Sequence, residues 1–580
     1  MRLRALKICN FGCIDEEGYE FEIDKIVVLI GANNVGKSTV FDAYEAFASV
    51  GSPLIAESFR DKNPDNTVSI SGVFGDLSPE DLETIGQKWK YVDEQYGECI
   101  RVKWEWIAPG MKGQKYSWDP EANDWTAGGM GGWDTLIASR TPVPLRVRPT
   151  DDAETTESQI KEILTTAAKT ALKADVGRTA QVVEDLKKLT DELAKDVEEQ
   201  LADATKRIAN RLGAVFPGYG VQFTPELGKF EPEKAIGAGS YITITGPGED
   251  SNPLAQQGAG LRRTFLWSAL GALADIGRAK LGKKVIDKDR QRILLIEEPE
   301  SFLHPPMIRA AREALYDLSE VPEWQVLATT HSPVFIDVSK PHTTIVRIAR
   351  GGGQRTRLFS TDRAQFSEEE RENLRMIRSC HPTVAEFFFA DHVVLVEGET
   401  EHAVLSVLLG RGENASLQHI AVVNCLGKAN LPLFQRILNQ FGTAYTAVHD
   451  SDSPQVQRCG KWQRNAMWTL NEKILNAIGE RDEALPQSHL VVHVPDFETY
   501  YFGSAATKDK PFRALQIIRD PTFENDAEFA PLREFPRQLV DGNHPGKYSS
   551  IDDLVKQVDD WVASAKPEPP EKWKVECGDA

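Results

Sequence analysis

The stretch that decides the fold is IVVLIGANNVGKST, from Ile26 to Thr39. Its first five residues form an apolar run typical of a strand buried in a sheet, and the residues from Thr39 onward predict a helix. Between them, GANNVGKS fits the phosphate-binding pattern GxxxxGK followed by Ser or Thr, at a helix N-terminus where backbone N–H groups can face phosphates. The sequence therefore predicts a nucleotide site that includes Gly31, Asn33, Asn34, Gly36, Lys37, Ser38 and Thr39.

Three polar residues further along the chain complete this predicted site. ILLIEEPE ends a second apolar run with Glu297 and Glu298, and ATTHSP places His331 after a third. Open α/β sheets build ligand sites at the carboxyl ends of their strands. We therefore expect Ser38 and Glu297 to hold Mg²⁺, Glu298 to polarise the attacking water, and His331 to sense the terminal phosphate. The alternation of strands and helices implies a largely parallel sheet.

Acidic residues end two strands of a second alternating region. VVLVEGETE carries Glu397 at a strand end and Glu401 at the next helix start, so both are expected at one sheet edge. About 50 residues later, YTAVHDSD ends a strand with Asp450 and Asp452, whose spacing of two directs both to the same side. Clustered carboxylates repel one another unless a cation neutralises them, and hard divalent ions prefer oxygen ligands.

Three other segments have distinctive composition. Residues 67–133, rich in Trp, Gly, Asp and Pro, predict an antiparallel β-subdomain. Residues 153–212 contain no proline, and their apolar residues recur at steps of three and four, which predicts an amphipathic helix. That helix is either one arm of a self-packed hairpin or a dimerisation insert. AKPEPPEKW, residues 565–573, is proline-rich and predicts a loose tail.

Composition limits the classes of protein. A chain of 580 residues is too long for one core, so two or three domains are expected. The net charge of −20 argues against a protein that coats nucleic acid, although a local groove could still be basic. The basic run at 278–292 is either a solvated linker or a phosphate-contacting surface. No apolar run spans a bilayer and the seven cysteines lack paired motifs, so a cytoplasmic protein without a membrane partner is expected.

The ordered motifs EEPE, LHP and TTHSP resemble the ABC-type ATPases of the RecF, SMC and OLD (overcoming lysogenisation defect) group. The resemblance implies ATP with one Mg²⁺, and a signature loop that closes on nucleotide held by another ATPase. The matching residues are Gln257, Gly258 and Gly260, in QQGAG at a helix N-terminus. Glu297 replaces the usual Asp and the signature is incomplete, so the resemblance supports ATP binding rather than fast hydrolysis.

The set VEGETE, Gly427-Lys428 and DSD resembles the Toprim fold, which implies that Glu397, Asp450 and Asp452 bind Mg²⁺ or Mn²⁺. Two such ions can cleave a phosphodiester bond. OLD nucleases add a further acid, which Glu498 resembles with Asp496 as a rival. They also have a late lysine, which Lys547 resembles and which would stabilise charge on the phosphate; the alternative is an exposed loop lysine.

The combined order resembles that of OLD nucleases, including the Gabija-type proteins of anti-phage defence. The expected α/β architecture is an ABC-type ATPase domain (1–152 and 216–385), a helical insertion at 153–215, and a Rossmann-like Toprim domain at 386–580. The resemblance implies metal-dependent DNA nicking or cleavage in a homodimer or larger assembly, with a requirement for an operon-encoded partner left open. The alternative is a RecF- or SMC-like repair ATPase that clamps DNA, although such a protein does not need the second acidic site. A topoisomerase or primase fits less well, because no separate tyrosine nucleophile is apparent and primases need no ABC ATPase.

Overall fold

The computed structural model divides into two compact units, Met1–Asp337 with Pro341–Leu358, and Val338–Lys340 with Phe359–Ala580. Apart from a few isolated positions, the residues that it describes are 1–79, 87–128, 140–149, 202–224, 241–248, 250–275, 290–337, 342–350, 356–360, 382–417, 420–482, 485–503 and 509–575. Most of the predicted amphipathic insertion, including residues 150–201, lies outside the described residues. No helix in the described ranges is long and apolar enough to cross a membrane.

The first unit begins with an antiparallel sheet in the order β2-β1-β4-β6-β7-β8, with β5 paired to β6. The prediction of an antiparallel β-subdomain is confirmed, and β1 and β2 from the start of the chain also join it. Its strands are β1 (Arg2–Cys9), β2 (Tyr19–Glu22), β4 (Val68–Gly75), β5 (Tyr91–Asp93), β6 (Gly97–Trp106), β7 (Gln114–Asp119) and β8 (Asp124–Ala127).

The second sheet of this unit is built around the buried strand β3 (Ile26–Ile30). Its order is β18-β17-β3-β16-β15-β9, and the pairs from β17 to β9 are parallel, as the alternating pattern predicts. The remaining strands are β9 (Val143–Val147), β15 (Arg292–Glu297), β16 (Trp324–Thr329), β17 (Thr343–Arg350) and β18 (Thr356–Ser360).

Helix α1 (Lys37–Ala48) follows β3 and buries Phe41, Tyr44 and Phe47. These rings belong to one hydrophobic cluster with β3 and the inner face of the antiparallel sheet, so the two sheets share a core. The other labelled elements are β10 (Gly220–Thr224), β11 (Tyr241–Thr245), β12 (Ser251–Pro253), α2 (Ala259–Asp275), β13 (Lys280–Leu281), β14 (Lys284–Val285) and α3 (Pro305–Ser319). Residues 202–215 are helical, and β13 pairs with β14 within the basic run.

The second unit has a sheet in the order β20-β19-β21-β24-β25, parallel except for the β24–β25 pair. Its strands are β19 (His392–Val396), β20 (Ala421–Asn424), β21 (Ala444–Asp450), β24 (His489–His493) and β25 (Lys547–Tyr548), with a separate hairpin of β22 (Gln455–Arg458) and β23 (Lys461–Arg464). Its helices are α4 (Glu399–Leu408), α5 (Leu431–Gln440), α6 (Ala466–Gly479), α7 (Phe497–Phe502), α8 (Lys510–Arg519), α9 (Ala530–Asp541) and α10 (Ile551–Ala565).

The prediction of a loose tail at 565–573 is wrong. After α10 the chain makes a short helical turn over Pro570–Trp573, and the Trp573 ring packs 4.6 Å from the ring of Trp561. Trp573 is buried, and Gln455 donates to the Lys574 carbonyl oxygen. One buried aromatic side chain therefore anchors a segment whose proline content favoured disorder.

Candidate nucleotide and metal sites

The loop between β3 and α1 has backbone angles that depend on glycine. Gly31 and Gly36 have φ values of +146° and +101°, in the region that side chains disfavour. A Cβ atom at Gly31 would lie 2.2 Å from the Ile348 carbonyl oxygen, and one at Gly36 would lie 2.2 Å from the Cys13 sulfur. Asn33 and Asn34 are exposed on the loop. The sequence thus folds into the turn that a phosphate-binding loop requires.

Lys37 lies under this loop and is buried. Its Nζ donates to the carbonyl oxygens of Gly31 at 3.0 Å and Ala32 at 2.8 Å. Burial lowers the pKa of Lys37, while the nearby charges of Glu298 and Glu300 act in the opposite direction. The amine is therefore held within the loop, where an anionic phosphate would stabilise its charge. Thr39, also predicted for this site, has its hydroxyl 3.7 Å from the Cys13 sulfur.

Glu297, the last residue of β15, contacts the phosphate-binding loop. The Ser38 hydroxyl donates to Glu297 Oε2 at 3.0 Å, so the two residues predicted to share Mg²⁺ are in contact. Arg146, at the end of β9, donates to Glu297 Oε1 through Nε at 2.9 Å and Nη2 at 2.6 Å. The same guanidinium group bonds to Asp42 and Glu45 of α1.

Sequence reasoning missed Arg146, since the only signal available was its place at a strand end. Burial alone would lower the pKa of this guanidinium, but the hydrogen bonds to its acidic partners raise it. Arg146 therefore stays charged and fixes the orientation of the Glu297 carboxylate.

Glu298 and His331 lie beside the same loop. Glu298 has a φ of +46°, its carboxylate accepts from the Ser301 hydroxyl at 2.9 Å, and its charge acts on both Lys37 and His331. Glu300 accepts from the His331 backbone N–H at 2.7 Å and from the Thr330 hydroxyl at 2.8 Å. Burial, followed by the charge of Lys37, lowers the pKa of the His331 imidazole. Glu300, which the sequence did not single out, thus supports the backbone of His331.

The predicted signature residues stand at the start of α2. A Cβ atom at Gly260 would lie 2.5 Å from the Phe302 carbonyl oxygen, so glycine allows this helix to approach the loop after β15. A Cβ atom at Gly258 would meet nothing within 4 Å, and Gln257 donates a long bond of 3.5 Å to the Asn252 carbonyl oxygen. Gly258 therefore borders open space, as a loop that contacts an external ligand requires.

In the second unit, the carboxyl ends of β19, β21 and β24 bring acidic side chains together. The Asp450 backbone N–H donates to Glu397 Oε2 at 3.3 Å, and Phe497 N–H donates to Asp450 Oδ1 at 2.9 Å. Glu401 and Glu498 are both buried. The charges of Glu397 and Glu498 act on Glu401, so the acids predicted from separate motifs share one region.

The carboxyl groups of this cluster titrate abnormally. Burial, reinforced by Glu397 and Glu498, raises the pKa of Glu401 to about 7. Burial and the charges of Glu401 and Glu397 raise the pKa of Asp450 well above its ordinary value. The pKa of Glu397 is also raised by burial, against the opposing charge of Lys428. Each raised pKa means that the folded protein disfavours the negatively charged form of that carboxyl group.

Two lysines lie against these acids, and the sequence assigned a role to neither. The fully buried Lys428 donates from Nζ to Asp452 Oδ2 at 2.7 Å and to the Asp450 carbonyl oxygen at 2.6 Å. Lys510, at the start of α8, donates to Glu498 Oε2 at 3.1 Å, and its side chain is 41% exposed. Lys510 could therefore reach both an acid of the cluster and an incoming ligand.

The structure also separates the two rivals for the downstream acid. Asp496 Oδ1 accepts from the Thr499 backbone N–H at 2.8 Å and caps α7, whereas Glu498 lies in the cluster beside Lys510. Asp496 is near enough for its charge to act on Asp450. Asp496 caps a helix, whereas Glu498 is buried next to Glu401, so we retain Glu498 as the candidate cation ligand.

Lys547 is not brought to this cluster. It lies on β25, and its Nζ donates to the Gly542 carbonyl oxygen at 3.0 Å. Gly542 packs against His489, the first residue of β24, whereas the acids follow the other end of that strand. A five-residue strand is roughly 13 Å long between its end residues. The amine of Lys547 therefore lies near the start of β24 rather than at the acids, and its contact with the phosphate stays a prediction.

The donor set fits hard divalent ions, since Glu397, Glu401, Asp450, Asp452 and Glu498 offer only carboxylate oxygens. A cation would also relieve the repulsion that raises their pKa values. In the described residues, no group of three or more His, Cys, Asp or Glu side chains is already arranged to hold an ion. Lys428, Lys510 and the Phe497 N–H occupy oxygens of the cluster, so metal binding would require some of these contacts to change.

Comparison with known proteins matches a family model to each of the two regions of the chain. A family model described as AAA ATPase domain matches residues 1–123 and 122–336, more than half of the chain. The model of the overcoming lysogenization defect protein-like TOPRIM domain matches residues 388–452, which hold Glu397, Asp450 and Asp452.

Two curated relatives carry related names. The OLD nuclease of Thermus scotoductus is 24% identical over 345 residues, which cover 57% of this chain and 60% of that protein. The Old nuclease of Escherichia phage P2 is 24% identical over 481 residues, covering 78% of this chain and 77% of its own length. A solved SMC head bound to the C-winged helix domain of ScpA has a TM-score of 0.41 and 12% identity, covering 62% of this chain and 98% of that one.

The fold and the two sites thus define a chain that joins an AAA-type ATPase domain to a C-terminal TOPRIM domain. The chain belongs to the AAA ATPase domain family, and residues 388–452 are similar to the overcoming lysogenization defect protein-like TOPRIM domain.

Proposed function

We propose that this chain is an ATP-binding, divalent-metal-dependent DNA endonuclease that nicks or cleaves phosphodiester bonds. The observation that carries the proposal is the cluster of carboxylates at the carboxyl ends of β19, β21 and β24. Burial and mutual repulsion raise the pKa of Glu397, Glu401 and Asp450, so the folded protein disfavours the charged forms of these acids. Clusters of groups with strongly perturbed pKa values are typical of functional sites.

The residues of the cluster have separate roles in this proposal. Glu397 and Asp450 would hold one Mg²⁺ or Mn²⁺, and Asp452, Glu401 and Glu498 would hold a second. When bound, such ions supply a hydroxide nucleophile near neutral pH and stabilise the leaving oxygen. Lys428 would keep Asp452 and the backbone of Asp450 in place.

Lys510 takes the role that the sequence assigned to Lys547. It contacts Glu498 and is partly exposed, so its ammonium group can stabilise charge that builds on the scissile phosphate.

ATP would bind at the loop of the first unit. Lys37 would contact the terminal phosphates, Ser38 and Glu297 would hold Mg²⁺, Glu298 would orient water, and His331 would face the terminal phosphate. The open surroundings of Gly258 support a signature loop that completes a nucleotide site on a second copy. ATP would thereby couple association of two ATPase domains to DNA cleavage.

Plasmid nicking tests this proposal most simply. Supercoiled DNA would be incubated with the full chain, with and without Mg²⁺ or Mn²⁺, while ATP is titrated. Lys37→Ala serves as the control for the nucleotide arm, because it removes the cation that faces the phosphates. We expect cleavage that requires the metal, and an ATP response that is lost in the control. DNA binding without cleavage under all these conditions would favour the alternative, a repair-type ATPase that clamps DNA.

We further propose that the chain acts as a homodimer or larger assembly in cytoplasmic anti-phage defence, with or without an operon-encoded partner. The cysteines that the structure describes form no disulfide, which supports a reducing compartment. Residues 153–212 would carry the dimer contact. Replacing Leu189, Leu193 and Val197 with Glu should then reduce the mass measured by light scattering, whereas an unchanged mass in a folded protein would favour the self-packed hairpin.

A further inference from the structure

A two-stranded hairpin leaves the candidate metal site directly after Asp452. Its first strand, β22, begins three residues beyond that acid, and the two-residue turn Cys459-Gly460 joins it to β23. The φ values of the turn are +50° and +76°, which suit a tight hairpin of defined register. Arg458 pairs with Lys461 across this turn. The hairpin therefore holds two cations side by side at its tip.

The base of the hairpin is hydrogen-bonded to the loop that carries Asp452. Asn465, which follows β23, donates from Nδ2 to the Ser453 carbonyl oxygen at 2.8 Å. Its backbone N–H donates to the Pro454 carbonyl oxygen, also at 2.8 Å. Gln455, the first residue of β22, is buried. These contacts give the hairpin a set position relative to the acids.

The two cations lie on the outer face of the hairpin. Side chains alternate along a strand, so Arg458 points to the face opposite that of the buried Gln455. Arg458 and Lys461 are both exposed, and within the described part of the chain neither of them forms an ion pair. Like charges directly opposite each other in antiparallel strands repel. An anion bound between these side chains would therefore stabilise the tip.

The surroundings of the hairpin are basic, although the chain has a net charge of −20. Residues 453–471 include three cations and no acidic residue. One of the three, Arg464, pairs with Glu472 of α6, which leaves the two cations at the tip. Residues 570–575, whose helical turn packs against β22, add two cations and one carboxylate. A local positive surface on an acidic protein favours an anionic ligand.

The distance from the acids to the tip fits a contact along DNA. Six residues separate Asp452 from Arg458, and an extended chain spans at most about 3.4 Å per residue, so their Cα atoms lie within roughly 20 Å of each other. Phosphates on one strand of a duplex follow one another at about 3.4 Å along the helix axis. The tip can therefore reach phosphates within roughly six base pairs of one that is held at the acids.

We propose that the tip of this hairpin binds the sugar–phosphate backbone of duplex DNA beside the cleavage site, through Arg458 and Lys461. The inference rests on the proposed nuclease function, because a cluster of carboxylates repels DNA and cations next to it offset that repulsion. The other side chains of the outer face, Val456 and Gln463, offer no ring for stacking on bases. Contacts to phosphates carry no sequence information directly, so binding at the tip is independent of sequence. An acidic protein could use the same charges, but the position of the hairpin next to the acids favours DNA.

The first test measures DNA binding by the full chain that carries Glu397→Ala, in EDTA, so that cleavage does not interfere. Fluorescence anisotropy is recorded over a salt series with two labelled duplexes of equal length and unrelated sequence. The test variant is Arg458→Gln with Lys461→Gln. The charge-matched control, Lys556→Gln with Lys566→Gln, removes two exposed lysines in and just after α10, a helix that also carries four aspartates.

We expect the test variant to bind both duplexes at least about tenfold more weakly at 0.1 M salt. Its slope of log affinity against log salt should fall by roughly 1.8, from about 0.9 per phosphate contact. The control should stay within about twofold of the parent. Parental affinity and slope in the test variant would overturn the proposal and leave the tip to an acidic partner. A loss confined to one duplex would also overturn it, because the tip would then read bases.

The exposed Cys459 in the turn allows a second test. The Glu397→Ala chain would be labelled on its thiols with a photo-crosslinker and irradiated with a labelled duplex, and the same chain with Cys459→Ser would control for labelling of other cysteines. We expect a DNA crosslink that depends on Cys459, and bound DNA without such a crosslink would contradict the proposal. Neither test requires cleavage. A chain that binds DNA at the tip but never nicks plasmid would therefore refute the nuclease function alone.

Discussion

Glu401→Gln should stabilise the metal-free protein at alkaline pH, although it removes a buried residue of the candidate metal site. Glu401 is 5% exposed, and its pKa of about 7 compares with an ordinary value of 4.5. The folded state therefore favours the protonated acid, and the free energy of unfolding falls as pH rises from about 4.5 to about 7. At 1.36 kcal/mol per pKa unit, the folded protein at pH 8 loses about 3 kcal/mol through this carboxylate.

Thermal unfolding of the full chain in EDTA measures this effect. The second unit has on the order of 200 residues, a size at which 1 kcal/mol shifts the melting temperature by about 2–4 °C. We therefore expect Glu401→Gln to melt roughly 6–12 °C above the parent at pH 8, with a much smaller difference at pH 5. Glu399→Gln is the matched control, because Glu399 lies in the same helical turn but is exposed.

Divalent ions should reverse the order of the two melting temperatures, since the ions bind the folded parent and stabilise it by mass action. Adding Mn²⁺ should raise the melting temperature of the parent more than that of Glu401→Gln. A variant that melts at or below the parent at pH 8 in EDTA would contradict this prediction. An equal gain in melting temperature at both pH values would also contradict it, because the charge of Glu401 would not then be the cause.

Three further predictions test the other assignments. Glu298→Gln should bind ATP with parental affinity but hydrolyse it at least about 100-fold more slowly, and parental hydrolysis would place the water-orienting role elsewhere. Arg146→Ala should weaken nucleotide binding about tenfold with Mg²⁺ but hardly at all in EDTA, because it releases Glu297; equal losses in both titrations would contradict a role through the metal. Lys510→Ala should slow DNA cleavage about tenfold at saturating metal while Lys547→Ala stays within about twofold, and the reverse order would restore the role to Lys547.

Sequence patterns predict the parts of this molecule that are fixed by local rules. Apolar runs that end in glycine or an acidic residue predict the buried strands β3, β15 and β19. The turn before α1 requires the glycines Gly31 and Gly36. The acids at strand ends meet because parallel strands share one carboxyl edge. These relations need no knowledge of distant contacts.

Contacts between residues far apart in sequence were not predictable in this way. Arg146 and Glu297 are separated by 151 positions and meet only because β9 and β15 are neighbours in the sheet. Lys510 reaches Glu498 from the start of another helix, whereas Lys547, which pairs with Val491 of β24, donates to the Gly542 carbonyl oxygen. The burial of Trp573 likewise depends on its packing against Trp561. The proline content of the segment does not predict this contact.

The most direct test of the central claim is the nicking of supercoiled plasmid by Glu397→Ala and Asp450→Ala. Each substitution removes a carboxylate that the account assigns to the first divalent ion. Both variants should lose metal-dependent cleavage, by at least about 1000-fold, while they bind ATP with parental affinity. If Glu397→Ala, purified free of contaminating nuclease, still nicks the plasmid at the parental rate, the TOPRIM carboxylates are not the catalytic site and the DNA-clamping ATPase becomes the better account.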